Sequence, residues 1–582
     1  MYTLGIHYGH HDASVTIVKN GTIIACVSEE RFNRIKHYNG FPIQALSFCL
    51  EKAKLSMRDI DIVAIPTIST YDKKVEIILG RREKGQLAFA QYNTHTNIYD
   101  YIRFAALSIA KTMHGLVEEE PPIYFKRFSY PSQKPIVYLD HHLSHASSAY
   151  YTSGFQQKTL VVTADGSGDA LSMTIWIGNN GELIPRMKIG NNGSLGLFYS
   201  LITEALGWWV GDGEGKTMGL APYGKQTKAI KDLEKYLPRY KNGKLWKKYN
   251  FGTTGAWAMP LGSVHWHFKD AHNVQKLIHQ YGAENIAAAA QTLLEREMIA
   301  LITWWIKREK ITHLAAAGGV FLNVKMNQRI WETGLLENFH IYPDAGDAGL
   351  SSGAALYCYF KTHKASIPAL QTLCWGPDYT DNDIEAALHI RRIPYKKLSK
   401  SDLISLAAKE LASNKIVGWF QGRMEVGPRA LGNRSILANP SLAKNKDIVN
   451  ARVKYREAFR PFCPSMTPAA AKEFLQNPMK NAKYMIVSFN VPVEKRKKIP
   501  AVVHVDGTTR PQVVTRVDNP LFYDLLKEFG KHTGVEVLLN TSFNIKGEPI
   551  VCSPSDALKC FIDTGIDYLV MGRYLIQKEM TV

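Results

Sequence analysis

Residues 3–28 read TLGIHYGHHDASVTIVKNGTIIACVS, three short runs rich in β-branched residues that are separated by His10-His11-Asp12 and by Lys19-Asn20-Gly21. Asn-Gly between two such runs is a strong signal for a β-hairpin. The same order returns over residues 159–189, where Asp165-Gly166-Ser167-Gly168-Asp169 takes the place of the first turn and a second Asn-Gly that of the hairpin. The repetition predicts an internally duplicated domain in which each copy begins with three strands.

The rest of the chain alternates apolar β-rich runs with stretches of helical periodicity, the pattern of an α/β protein. A long helix is predicted near residues 285–310, followed by a strand over residues 313–317 and a helix that ends near Thr362. The proline-containing stretch 364–377 marks a boundary, after which the alternation starts again. We therefore predict two domains, residues 1–365 and 366–582. Residues 70–132 fit neither repeat and are interpreted as a helical insertion.

The composition is that of an ordinary globular protein, with 45% hydrophobic and 21% charged residues among 582. No run of 18 uncharged apolar residues occurs, so no membrane-spanning helix is predicted. The seven cysteines are scattered and form no Cys-x-x-Cys pair, which argues against a disulfide framework and against a cysteine zinc site. The N-terminal sequence lacks the pattern of a secretory signal, so a cytoplasmic location is expected.

The formal net charge is +19, an excess that attracts polyanions such as nucleotides, phosphorylated substrates, nucleic acid or anionic membranes. The basic residues are densest over residues 225–248, which read as an amphipathic stretch rich in lysine and tyrosine. A solvated face is the favoured interpretation of this stretch, and an RNA or membrane patch is the alternative.

Two turns of the repeat are candidates for binding phosphate. His11-Asp12-Ala13-Ser14 and Asp165-Gly166-Ser167-Gly168-Asp169 occupy equivalent places, and backbone N–H groups in such Gly/Asp turns can face an anion, as in actin-like and sugar-kinase-like ATPases. Gly318-Gly319, between a strand and a helix, would let the backbone approach a nucleotide closely. Ordinary tight turns are the alternative for all three, since Asp and Gly are common in them.

A metal site is predicted from four residues. His141 and His145 are four apart and project from one face of a predicted helix, which is a spacing used by imidazole ligands. Asp165 and Asp347 would complete a set of two nitrogens and two oxygens, which suits Fe(II), Mn(II) or Zn(II) better than Ca(II). A structural histidine pair, and a helix N-cap at Asp347, remain the alternatives.

The second domain carries the densest cationic cluster of the sequence, in which arginines alternate with glycines. Arginine forks match phosphate oxygens in a bidentate manner, and amides can add hydrogen bonds, so an anion site is favoured over surface salt bridges. The residues singled out are Arg423, Arg429, Arg434, Lys454, Arg456, Arg460, Arg510, Asn540 and Asn544. Together with the metal site, they indicate activation of a small anion by ATP, followed by group transfer.

The chain resembles the NodU/CmcH/TobZ family of O-carbamoyltransferases over nearly its whole length. The resemblance is specific because many segments match in order. They are residues 9–14, 28–32, 141–146, 165–169, 214–224, 318–323, 420–425, 427–435, 454–461, 504–510 and 540–544.

The resemblance implies the fold and the reaction. The first domain would be a duplicated actin-like (ASKHA) domain of the TsaD type, and the second a YrdC-like domain with a twisted α/β sheet. Carbamoyl phosphate and ATP, with Mg(II), would form carbamoyl-adenylate in the second domain. The first domain would then pass the carbamoyl group to a hydroxyl group of a small acceptor, with a divalent metal, iron in this family, as cofactor.

The resemblance also implies roles for residues. His141, His145, Asp165 and Asp347 would bind the metal. His11 would be the base or orienting group near the acceptor hydroxyl, and Asp12 would position it or support the phosphate side. Gly318, Gly319 and Asn323 would line an adenosine pocket. Lys454, Arg429, Arg460 and Arg510 would bind carbamoyl phosphate and the ATP phosphates, with Asn540 and Asn544 as partners.

Several questions stay open at the level of sequence. His10 stands beside His11, so either imidazole could face the acceptor. The acceptor is not identified, a homodimer is neither required nor excluded, and the insertion at residues 70–132 is predicted to shape the acceptor pocket. The alternative function is a fused tRNA threonylcarbamoyladenosine-type enzyme, although nucleic acid and membranes are not expected as partners.

Overall fold

The computed structural model describes residues 1–9, 11–67, 125, 128–225, 228–258 and 264–578. Almost all of the predicted insertion at 70–132, and His10, lie outside the described residues. Helices of the described chain occupy Glu30–Asn33, Ile43–Ala53, His141–Tyr150, Leu195–Ala205, Glu214–Leu220, Ala229–Leu233, Ala271–Tyr281, Ala283–Glu309, Val324–Trp331, Leu350–Thr362, Asp381–Ile390, Lys400–Ala412, Lys444–Val449, Pro468–Phe474, Val493–Arg496, Pro520–Thr533 and Pro554–Ile562.

The first sheet is built around the opening strand of the chain. Its strands are β1 (Tyr2–His7), β2 (Ser14–Lys19), β3 (Thr22–Ser28), β4 (Ile62–Ile65) and β5 (Ile136–Tyr138). They are ordered β3-β2-β1-β4-β5, with β1 antiparallel to β2 and parallel to β4. Strand β1 is buried along almost its whole length because helices cover the sheet.

The second sheet repeats this order. Its strands are β6 (Thr159–Gly168), β7 (Leu171–Asn179), β8 (Glu182–Gly190), β13 (His313–Ala317) and β14 (Asn338–Ile341), ordered β14-β13-β6-β7-β8. Each sheet therefore starts with a three-stranded meander and adds two parallel strands beside the first strand of that meander. The predicted duplication and actin-like α/β fold class are confirmed.

One detail of the second copy differs from the prediction. Residues 165–168 were expected to be a turn, but strand β6 continues through them to Gly168, with an irregular register after Ala164. The tight turn lies at Asp169-Ala170, where both residues have left-handed φ angles of 48° and 66°. Such an irregularity lets the strand bend, as a β-bulge does.

Two helices meet between the sheets and bring distant loops together. The helix His141–Tyr150 packs against the helix Leu350–Thr362, and at Gly353 an added Cβ would lie only 1.8 Å from the carbonyl oxygen of Ser144. At Gly5 of β1 an added Cβ would lie 1.9 Å from the carbonyl oxygen of Ser351. Glycine is needed at both positions for this close approach, which places the starts of both helices beside the end of β1.

The remaining strands form a larger sheet and three small ones. The bounds of these strands are β9 Arg239–Lys241, β10 Lys244–Lys247, β11 Thr253–Ala258, β12 Val264–Phe268, β15 Lys396–Lys397, β16 Val417–Phe420, β17 Arg434–Ala438, β18 Cys463–Met466, β19 Phe489–Asn490, β20 Thr508–Thr509, β21 Gln512–Val513, β22 Val537–Ser542, β23 Tyr568–Met571 and β24 Tyr574–Gln577. The larger sheet has the order β15-β24-β23-β16-β17-β22-β18-β21, and its α/β architecture agrees with the predicted class of the second domain.

The basic stretch 225–248 is not one amphipathic element. Its described part contains the short helix Ala229–Leu233 and the hairpin β9–β10. Within the residues that the structure describes, no helix is both long and apolar enough to cross a membrane.

Candidate metal centre and anion-binding cluster

The helix His141–Tyr150 positions the two predicted imidazole ligands. Asp140 caps its N-terminus by accepting a hydrogen bond from the backbone N–H of Leu143 at 2.9 Å. Nε2 of His141 and Nε2 of His145 lie 3.1 Å apart, and both rings are buried. The third histidine, His142, turns its Nδ1 to Thr163 at 2.7 Å instead. The helix therefore directs two of its three histidines to one point.

The two predicted carboxylates face the same point from other elements. Oδ2 of Asp165, on β6, lies 3.1 Å from Nε2 of His145, and Oδ1 of Asp347, at the start of the short turn before Leu350–Thr362, lies 3.5 Å from Nε2 of His141. Ligand atoms of the four residues all lie within 4.8 Å of one another. Two nitrogens and two carboxylate oxygens in this arrangement fit a first-row transition metal ion.

The charges of this centre are those that a cation requires. Burial disfavours the imidazolium form, but Asp347 and Asp165 outweigh it and raise the pKa of His141 to about 9. Burial also disfavours the charged form of Asp165, yet His141 and His145 hold its pKa well below the usual range. The centre therefore stabilises positive charge next to its carboxylates, and a metal ion would take the place of the protons.

Neighbouring backbone fixes the ligands. At Gly168 an added Cβ would lie 2.2 Å from the ring of His141, so only glycine leaves room for that imidazole. The backbone N–H of Gly166 donates to Oδ1 of Asp165 at 2.6 Å, and Asp169 accepts from the backbone N–H of His141 at 2.9 Å. These contacts hold the ligands without using their metal-facing atoms.

His11 lies at the edge of the centre. Its Nε2 is 3.5 Å from Oδ2 of Asp347, and its Nδ1 is 2.9 Å from Oδ2 of Asp12. Burial lowers and Asp347 and Asp12 raise the pKa of His11, with a net rise to about 9. One ring nitrogen of His11 thus contacts a carboxylate that orients it, and the other faces the predicted metal ligands.

The predicted nucleotide residues of the first domain divide into two groups. Gly318 has a φ of 101°, and Gly319 lies beside Asp165, where an added Cβ would be 3.1 Å from Oδ1. Asn323, in contrast, caps the helix Val324–Trp331 through Met326 and exchanges two hydrogen bonds of 2.9 Å with Gln291. Its amide is therefore engaged by neighbouring protein groups, and its place in the lining of an adenosine pocket stays a prediction.

In the second domain, Lys454 is the centre of the cationic cluster. Its Nζ donates to the backbone carbonyl and hydroxyl of Ser542 and to the backbone carbonyl and Oδ1 of Asn544, the last at 2.8 Å. Burial, and then repulsion from Arg456, hold the pKa of Lys454 well below its usual range. A buried cation beside other cations is suited to receive an anion.

Four arginines repel one another in this cluster, and two of them, Arg456 and Arg460, also act on Lys454. Burial, and then repulsion from Arg510, lower the pKa of Arg429, and burial and Arg460 do the same for Arg456. Guanidinium groups that repel one another at close range are stabilised by a bound phosphate. Arg456 was singled out above as part of the cationic cluster, whereas Ser542, which contacts Lys454, was not.

Two of the residues predicted for the anion site, Arg423 and Asn540, hydrogen-bond to other parts of the protein. Arg423 donates from Nε to the carbonyl of Gly376 at 3.2 Å and from its NH2 nitrogen to the carbonyls of Ile24 and Trp375. These contacts link Ile24 to the segment around Trp375, and a contact of Arg423 with phosphate stays a prediction. Asn540 is buried and donates to Ser465 at 2.8 Å and to the carbonyl of Ala430 at 3.2 Å, so it supports the cluster from behind.

The region before residue 365 contacts the segment between Lys454 and Arg460. Lys216 of the first domain lies 3.4 Å from Glu457, and Trp208 packs against Phe459 with ring centroids 6.0 Å apart. Both second-domain residues belong to the segment between Lys454 and Arg460. Lys216 and Trp208 therefore pack against the chain segment that carries Lys454 and Arg460.

Comparisons with known proteins extend over the same two regions. The family described as Carbamoyltransferase N-terminus matches residues 2–356, and that described as Carbamoyltransferase C-terminus matches residues 408–578. Nodulation protein NolNO of Sinorhizobium fredii is 36% identical over 98% of this chain and 79% of its own length. An uncharacterized protein of Synechocystis is 32% identical, covering 99% of this chain and 97% of its own, and Nodulation protein U of Rhizobium tropici is 27% identical, covering 98% and 95%.

Among solved structures, component A of the (R)-2-hydroxyglutaryl-CoA dehydratase of Acidaminococcus fermentans is similar with a TM-score of 0.34 and 15% identity. It covers 62% of this chain and 98% of its own. HypF in its phosphate- and nucleotide-bound form has a TM-score of 0.31 and 11% identity, covering 63% and 56%.

Proposed function

The chain belongs to the carbamoyltransferase family, and we propose that it is an O-carbamoyltransferase that uses carbamoyl phosphate and ATP to carbamoylate a hydroxyl group of a small-molecule acceptor. The observation that carries this proposal is the position of His11. Its Nε2 lies 3.5 Å from Asp347, at the edge of a centre in which four predicted metal ligands converge. A base beside a metal centre suits the deprotonation of an alcohol.

The cationic cluster would carry out the activation step. Water cleaves carbamoyl phosphate to carbamate and phosphate, and a carbamate oxygen then attacks the α-phosphorus of ATP. The bond from that phosphorus to the bridging oxygen breaks, pyrophosphate leaves, and carbamoyl-adenylate forms. Four cationic residues would neutralise the charge on both anions and on the leaving pyrophosphate: Lys454, Arg429, Arg460 and Arg510. Their effect on the rate would come from stabilising the negative charge that develops in the transition state.

The first domain would carry out the transfer step. His11 would accept the proton of the acceptor hydroxyl at Nε2, while Asp12 keeps the ring in place through Nδ1. The alkoxide oxygen would then attack the carbamoyl carbon. The bond between that carbon and the phosphate oxygen of AMP would break, so that AMP is released and the carbamate ester is the product. His141, His145, Asp165 and Asp347 would hold a divalent ion, Fe(II), Mn(II) or Zn(II), which when bound supplies Lewis-acid polarisation.

The first experiment tests the activation step without any acceptor. The protein is incubated with ATP and carbamoyl phosphate, and pyrophosphate is measured with and without hydroxylamine. Attack of the hydroxylamine nitrogen on carbamoyl-adenylate releases AMP and gives hydroxyurea. We expect pyrophosphate only when both ATP and carbamoyl phosphate are present. We expect hydroxyurea when hydroxylamine is added to both substrates. Pyrophosphate formation that does not need carbamoyl phosphate would refute the activation step.

The second experiment tests the transfer. With [14C]carbamoyl phosphate and ATP, a panel of polyols, amino sugars and glycosides is screened for label in a stable product, and unmodified tRNA with threonine is screened in parallel. We expect label in a small alcohol. Label in tRNA that needs threonine would replace this proposal by the tRNA-modifying alternative. Deletion of residues 70–132 should change which alcohols accept, while pyrophosphate release continues.

A further inference from the structure

His37 contacts the carboxylate that orients His11. Nδ1 of His37 lies 2.8 Å from Oδ1 of Asp12, and Nδ1 of His11 lies 2.9 Å from Oδ2 of the same carboxylate. The two imidazole rings stand almost perpendicular, at 87°, with centroids 6.5 Å apart. One carboxylate is thus held at both of its oxygens by two histidines.

His37 is itself held from two sides. Its backbone N–H donates to Oε2 of Glu30 at 2.9 Å, and its Nε2 lies 3.6 Å from Oδ1 of Asp212. Asp12 and His37 both have left-handed backbone conformations, with φ angles of 59° and 57°. Such conformations cost free energy in residues other than glycine, so the surrounding contacts must stabilise them.

We propose that His37 is a positioning residue for the transfer step, an inference that rests on the proposed function. By donating to Oδ1 of Asp12, His37 leaves Oδ2 to accept the Nδ1–H of His11. Nε2 of His11 then faces the metal centre, 3.5 Å from Oδ2 of Asp347. Rotation about the terminal torsion of an aspartate is soft, so without His37 the carboxylate can turn away and His11 loses its fixed orientation.

A second reading of the same residues is an additional cation site. Potential ligand atoms of Asp12, Glu30 and His37 lie within 4.8 Å of one another. Nδ1 of His37, however, already contacts Oδ1 of Asp12 directly, at 2.8 Å. The two readings predict different effects of asparagine at position 37, because Asn can donate to Asp12 through its Nδ2.

The test compares His37→Ala, His37→Asn and the matched control Lys36→Ala, which removes the neighbouring partner of Asp212. Each full-length variant is assayed for pyrophosphate release, metal content, and transfer to the alcohol that gives most product in the screen described above. We expect H37A to lose transfer by about 10- to 100-fold, with pyrophosphate release and metal content unchanged. H37N should transfer at a rate within about 3-fold of wild type, because the asparagine amide can still donate to Asp12. K36A should equal wild type, because it keeps His37 as that donor.

Any of three results would overturn the proposal. The first is an equal loss of transfer in H37A and H37N, the second is a parallel loss of pyrophosphate release, and the third is the loss of one metal equivalent in both variants. Should H37A fail to fold, His37→Phe keeps the ring without its donors and takes its place.

If the wild-type protein transfers to no alcohol, the proposed function fails, and crystal structures of the variants then decide the inference. A contact between His11 Nδ1 and Asp12 that is lost in H37A and retained in H37N would support it. The same contact unchanged in H37A would refute it.

Discussion

Nε2 of His141 lies 3.1 Å from Nε2 of His145, with Oδ2 of Asp165 at 3.1 Å from the latter. At that separation the two nitrogens are close enough to bind one cation, and both face the carboxylates. A single cation bound by both nitrogens would satisfy this geometry. Metal binding at this candidate centre can be measured directly.

Removing one imidazole should therefore remove the metal. For His145→Ala we expect the affinity for Zn(II) or Fe(II) to fall by more than about 100-fold, since a ligand matters at least as much as its outer-shell partners. Elemental analysis and chelator competition measure this. His142→Asn is the matched control, because His142 bonds to Thr163 and should affect thermal stability without affecting metal content. Equal metal content in H145A and wild type would contradict the assignment of the centre.

Gly168 provides a test of the centre that leaves every ligand in place. Alanine at this position would put Cβ 2.2 Å from the ring of His141, whereas at Gly166 the nearest side-chain atom is 3.8 Å from an added Cβ. We expect Gly168→Ala to displace His141 and lose metal, and Gly166→Ala to retain it. Metal per protein after dialysis distinguishes the two variants, and full metal content in G168A would show that His141 does not bind.

Lys454 should be essential for activation and dispensable for the metal centre. Lys454→Ala is expected to lower carbamoyl-phosphate-dependent pyrophosphate release by roughly 100- to 1,000-fold, comparable to the loss of one preorganised charge-stabilising donor. Lys444→Ala, ten residues away in the helix Lys444–Val449, is the control and should release pyrophosphate at the wild-type rate. Unchanged release in K454A would exclude this cluster as the activation site.

The ion pair of His37 predicts a pH dependence of stability. Burial lowers and Asp12 raises the pKa of His37, with a net rise to about 10, while Asp212 and Lys36 also face the ring. Because the folded-state pKa lies above the unfolded value of about 6.5, the stabilisation is complete below pH 6.5 and is lost as pH rises towards 10. The melting temperature of wild type should exceed that of H37N most at pH 6, less at pH 8 and least at pH 10. A difference that grows with pH would contradict the assignment.

Much of this protein could be predicted from local sequence. The duplication follows from two meanders with the same turn signals, and the spacing of His141 and His145 places both on one helical face, because a helix repeats every 3.6 residues. Arg429, Lys454, Arg460 and Arg510 were predicted from their density in a glycine-rich context. Whether they bind substrate stays a prediction that the experiments above address.

Other residues had no such signal. His37 stands outside every recognised segment, and only the approach of its ring to Asp12 reveals it. Arg423 and Asn323 have the chemistry of ligands but donate to backbone carbonyls and a neighbouring amide. Residue type and spacing state what a side chain can bind, whereas the packing of distant segments determines which partner it meets.

The sequence by itself determined the α/β class, the duplicated order of strands and the residue types of both sites, because backbone periodicity and turn chemistry act over a few neighbouring residues. Only the tertiary structure decided the distances at which the predicted Asp165 and Asp347 approach the two imidazoles. It alone decided that His37 reaches Asp12 and that Lys216 meets Glu457. Those pairings join segments separated by 20 to more than 200 residues, and their distances depend on how helices and sheets pack around glycines such as Gly5 and Gly353.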